Sequence, residues 1–183
     1  MALELAIPIA IFVALAVVFL VLLRRIGLLL ASSRESALFR RSVADLAGRI
    51  DGTLGEMIAR IDTLRREQID AASIMEPLDR ALEALLAYGE EARGLSGPQV
   101  AASPKAAFAA EIDRADRALQ MVEHGVAILS SVSSRHRFAE AQTAIKRGYL
   151  NVLHARESIA RHAIEITTAT GPEQAASSTR RRG

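Results

Sequence analysis

An alternation of four- and three-residue steps constrains this chain more than any other feature. It runs Val43, Ala47, Ile50, Leu54, Met57, Ile61, Leu64, Gln68, Ala71, Met75, Leu78, Leu82 and Leu85, and only Gln68 is polar. A 3.5-residue period collects these positions into one stripe along a helix, whereas a strand would alternate every second residue. The pattern predicts an all-α chain, built as a coiled coil or helical bundle. Val43, Ile50, Leu54, Met57, Ile61, Leu64, Gln68, Met75, Leu78, Leu82 and Leu85 form the expected association seam. Gln68 is either a register device or a place where the seam is loose. Gly48, Gly52 and Gly55 fall in the same stretch and each costs up to about 1 kcal/mol inside a helix, so this half should be the softer one.

A second feature lies upstream. From Ala6 to Leu23 every side chain is apolar, and Arg24 and Arg25 close the run. A helix rising 1.5 Å per residue needs about 20 such residues to cross a hydrocarbon core. The run therefore predicts a single N-terminal transmembrane helix. A cleaved signal peptide fits less well, because the run is long and its basic pair follows rather than precedes it. A pilin-like reading would give Glu4 a registry role, but no basic leader precedes it. No Lys or Arg precedes the run, and Arg24, Arg25, Arg34, Arg40 and Arg41 follow it. That asymmetry predicts the N-terminus outside and the body cytoplasmic, at a bacterial inner membrane. Those five arginines are the expected contacts with anionic lipid headgroups. The bacterial assignment rests on arginine outnumbering lysine 21 to 2, as in a GC-rich genome.

The expected organisation is a short extracytoplasmic N-terminus over 1–4, the transmembrane helix over 5–23 and a basic juxtamembrane segment over 24–42. Heptad-patterned helices follow over 43–93, with a break or kink at Pro77. Ser73 and Glu76 have capping-box spacing, which favours a restart there. Residues 94–103 read as a linker rich in Gly, Ser and Pro. Residues 104–168 read as a helical hairpin, the rival being one long helix with a phase slip. Its first stripe is Phe108, Ile112, Ala115, Leu119, Val122, Val126 and Leu129. Its second is Phe138, Gln142, Ile145, Tyr149, Val152, Arg156, Ile159, Ala163 and Ile166. The serines around 130–134 favour a turn between them. Residues 169–183 read as a disordered basic tail.

Net charge is only +2, but it is unevenly spread. Residues 24–50 hold six Arg against two acids, while residues 51–93 hold ten acids against five Arg. Without cysteine the chain has no disulfide, thiol nucleophile or thiolate metal site. His154 with Glu157, and His162 with Glu165, are the nearest approach to a metal pattern. Both pairs share one helix, and His154 falls nearly opposite the seam, so they read as flanking histidines. No nucleophile elbow, phosphate loop or zinc-protease motif occurs. The sequence thus predicts no enzyme, cofactor, metal, nucleic-acid partner or small-molecule substrate. The expected function is a membrane-anchored helical scaffold or adaptor that self-associates or binds a protein partner. A membrane-anchored signalling relay is the alternative, and a metal-dependent bundle enzyme a remote one.

Overall fold

A computed structural model of the chain describes residues 2–66, 69–131 and 134–171, without the side chains of 2–18, 21–33, 134 and 135. It is all-helical among these residues, with four α-helices. They are α1 (Ala2–Arg65), α2 (Ala72–Gly94), α3 (Ala102–Ser130) and α4 (Ser134–Ala169), with a short 3-10 turn, Gln99–Ala101, leading into α3. The chain divides into two compact units, Met1–Leu38 and Phe39–Gly183.

In the first unit the apolar run lies in α1, and Phe19 and Leu20 are its only described side chains, both exposed. No helix among the described residues is long and apolar enough to cross a membrane. This overturns the expected single-pass topology, and with it the assignment of an outer N-terminus and a cytoplasmic body.

The second unit is a four-helix bundle. Its direction can be followed contact by contact. Arg49 and Thr53 of α1 meet Glu91 and Tyr88 of α2, so these helices run antiparallel. Asp51 of α1 meets Arg156 of α4, and Arg40 meets the Thr170 carbonyl just past its end. Here too a rising number on one helix meets a falling number on the other. Gly125 of α3 faces Ala141 and Ile145 of α4, while Gly148 of α4 faces Ala118 and Val122 of α3. Residues 104–168 are therefore a helical hairpin. Arg93 at the end of α2 pairs with Asp113 of α3 across the remaining side. The helices alternate up and down, the arrangement that short connections impose on neighbours. α2 and α4 each lie between α1 and α3, at opposite corners.

One apolar core joins all four helices. From α1 it takes Phe39, Val43, Leu46, Ile50, Leu54, Met57, Ile61 and Leu64, all buried. The expected stripe had Ala47 where the structure buries Leu46, leaving Ala47 half-buried. In α2 the buried positions are Ile74, Leu78, Ala81, Leu85, Gly89 and Ala92, with Met75 and Leu82 on the flank. The continuous frame fails because the chain reverses between Arg66 and Ala72, so the register before the turn does not bind the register after it. Gln68 lies outside the described residues.

Pro77 sits inside α2, one turn from its start, without ending it. The expected cap at Ser73 is absent: Ser73 is already helical, and its hydroxyl donates back to the Asp70 carbonyl at 2.6 Å. The preceding cap position, Ala71, has no side-chain hydrogen bond. As the sixth residue of α2, Pro77 lies past the donors that lack partners, so the helix continues through it without the bond an N–H there would make to the Ser73 carbonyl.

Candidate functional site

The side chains expected to mediate association are spent inside this bundle. Val43, Ile50, Leu54, Met57, Ile61, Leu64, Leu78 and Leu85 are buried against the other helices of the same chain. What remains available is the outer surface. Leu86, Val100, Phe138, Leu150 and Ile164 are large apolar residues exposed on it.

A concavity lies where the end of α1, the end of α3 and the start of α4 meet. It is a groove of about 420 Å³ floored by Leu64, Leu129, Phe138 and Ile145, with Arg65 and Lys146 on its rim. Phe138 was expected on the buried stripe of α4, but it is 46% exposed. Gln142 is exposed as well. The first turns of α4 carry their apolar side chain into this groove, beyond the reach of the packed α3–α4 contact. Arg65 lies with its guanidinium 4.6 Å from the Tyr149 ring centre, which fixes the cation beside the groove.

Of the arginines expected at lipid, Arg34 and Arg41 are exposed, and the side chains of Arg24 and Arg25 lie outside the described residues. Arg40 is engaged: its guanidinium donates to the Thr170 carbonyl at 2.6 Å. A cation at a helix C-terminus satisfies a free carbonyl and complements the helix dipole. Its position ties the start of the bundle's first helix to the end of its last.

Among the described residues three arginine–carboxylate pairs bridge helices, Asp51–Arg156, Arg49–Glu91 and Arg93–Asp113, and His124 of α3 lies 3.7 Å from Glu140 of α4. The first is bidentate, at 2.6 and 3.0 Å. Arg156 was expected in the apolar stripe of α4, but its guanidinium passes beside Gly55 to reach Asp51. Its hydrogen bonds hold the Asp51 carboxyl below the usual range. A depressed carboxylate stabilises the fold above its unfolded pKa, near about 4, and that contribution is lost as pH falls through the lower folded value. Asp51→Asn should therefore flatten the acid limb of stability below about pH 4. Both side chains are roughly half-exposed, so the loss at neutral pH should stay under about 1 kcal/mol. Urea titrations at several pH values would show it, and an unchanged acid limb would contradict it.

Asp116 behaves oppositely. Burial pushes its carboxyl up, Asp113 adds to this, and Arg117 opposes it. One of its oxygens has no hydrogen-bond partner, while the other accepts from Gln120 at 2.7 Å.

His162 lies 2.7 Å from Glu165 through Nδ1, and His154 is exposed. Among the described residues no group of three or more His, Asp or Glu is placed to hold a metal ion. The class defined by these contacts is an up-and-down four-helix bundle with a filled apolar core. No protein-family model, curated protein or solved structure matches the chain.

Proposed function

We propose that this chain is a helical adaptor or scaffold, a folded module that works by offering the outer faces of its bundle to protein partners. One observation carries the reading. The heptad seams are consumed within a single chain, yet large apolar side chains stand exposed on α2 and α4. Singly exposed apolar residues are ordinary. A half-exposed phenylalanine in a concave site with cations on its rim has the composition of a recognition surface, since aromatic and arginine side chains carry much of binding energy.

The test is site-specific photocrosslinking in the cell of origin, with the probe placed in turn at Leu86, Leu150 and Phe138. A discrete crosslinked polypeptide at one of these sites, absent with the probe at the buried position Leu54, is the expected result. Uniformly absent crosslinks at all three surface sites would overturn the reading.

A further inference from the structure

The outer face of α2 carries a stripe that the core does not use. Asp79, Glu83, Leu86 and Glu90 follow one another at steps of four, three and four, and all are exposed. At 100° per residue they fall within about 60° of one another on one line. Leu86 stands in the middle, 60% exposed, with acids on either side. Over its length α2 has five acids against two Arg, while α4 has six Lys and Arg against three Glu. Helix charge is thus opposite at opposite corners of the bundle.

The groove on the α4 side is the complement of that stripe. Its floor is apolar and its described rim is Arg65 and Lys146. Among the described residues Lys146, Asp79 and Glu83 take part in no ion pair within 4.0 Å, whereas Arg65 pairs with Asp62 at 3.8 Å and Glu90 with Arg93 at 2.9 Å. We infer that a second copy of this chain docks here, with Leu86 seated over Phe138 and the α2 acids against Lys146 and Arg65. The inference rests on the adaptor reading and names its partner.

The two surfaces face away from each other, because α2 and α4 occupy opposite corners. One chain therefore cannot satisfy its own groove, and each copy can donate at one side while accepting at the other. A contact between two different patches is heterologous, so it propagates into an open chain of copies unless its rotation happens to close a ring. Opposite charges across such a contact fix orientation and make association dependent on salt.

The experiment uses the full chain in neutral detergent, which keeps the apolar N-terminal segment from driving association, with sedimentation as the readout. Expected is concentration-dependent assembly at about 0.05 M salt that weakens at least tenfold at about 0.5 M. Two variants separate this contact from any other. Asp79→Lys with Glu83→Lys makes the stripe basic, and Gln142→Glu with Lys146→Glu makes the groove acidic. Each should remain helical by circular dichroism and fail to assemble alone, and mixing the two should restore assembly. A chain that stays monomeric at low salt overturns the inference. So does assembly untouched by both variants, or variants that assemble no better mixed than apart. Should a probe at Leu86 crosslink only to a different polypeptide, self-docking fails while the adaptor reading stands.

Discussion

Phe108→Ala should destabilise the bundle by about 3–5 kcal/mol, whereas Phe138→Ala should cost about 1 kcal/mol or less. The two substitutions remove the same atoms. Phe108 is fully buried in α3, within the core shared by all four helices. Its loss removes apolar burial and leaves a void that surrounding side chains fill only in part. Phe138 is 46% exposed, so water already reaches the space its ring would vacate. Urea unfolding followed by helicity measures both. Similar losses at the two sites would show that Phe138 belongs to the core and that the groove is not a surface. The contrast matters because both phenylalanines stand at stripe positions of equal merit in the sequence.

That equality shows where the sequence stops being informative. In α3 the alternating stripe from Phe108 to Val126 coincides with the buried face, because this helix is covered along its length. In α1 the stripe drifts, and Leu46 is buried where Ala47 was expected. A helix packed among three neighbours buries a wider band than a two-stranded seam does, so a strict four-three count chooses between adjacent candidates arbitrarily. In α2 the count went on smoothly through a chain reversal, and Ile74 and Ala81 took the places expected for Met75 and Leu82. Periodicity reports that a helix is amphipathic; it does not report where the chain turns.

The interhelix ion pairs were hidden for a different reason. Asp51 and Arg156 are 105 residues apart, and nothing local to either position signals the other. Arg156 was nevertheless anomalous as the one charged residue in the α4 stripe, and a charge at such a place asks for a partner. Arg40 was drawn toward lipid by its place in a basic block. A helix C-terminus is an equally good destination for a guanidinium, and only the fold brings Thr170 within reach.

Glycine gives the second large effect, through one substitution with opposite signs at two places. Alanine in place of an exposed helical glycine stabilises by up to about 1 kcal/mol. Gly52 meets that condition, since a Cβ there has nothing within 4 Å. Gly52→Ala should therefore raise stability. At Gly148 a Cβ would come 2.5 Å from Val122 Cγ2 and 2.8 Å from the Ala118 carbonyl oxygen. The valine methyl can rotate away, but the carbonyl belongs to the backbone of α3 and yields only if the helices separate. Separation would undo the matching contact seven residues along α3. There Gly125 lies against α4, where a Cβ would come 2.7 Å from Ile145 Cγ1 and 2.8 Å from the Ala141 carbonyl oxygen. Overpacking of this kind costs about 1–3 kcal/mol and outweighs the propensity gain, so Gly148→Ala should destabilise. Ala118 and Gly125, and likewise Ala141, Gly148 and Ala155, recur at intervals of seven, so the close crossing was written in the sequence as small residues rather than large ones. Gly125→Ala combined with Gly148→Ala should cost less than the two losses added, because one widening of the crossing relieves both. Strict additivity in the double variant would mean that the two contacts are independent and that α3 and α4 bend locally instead of moving apart.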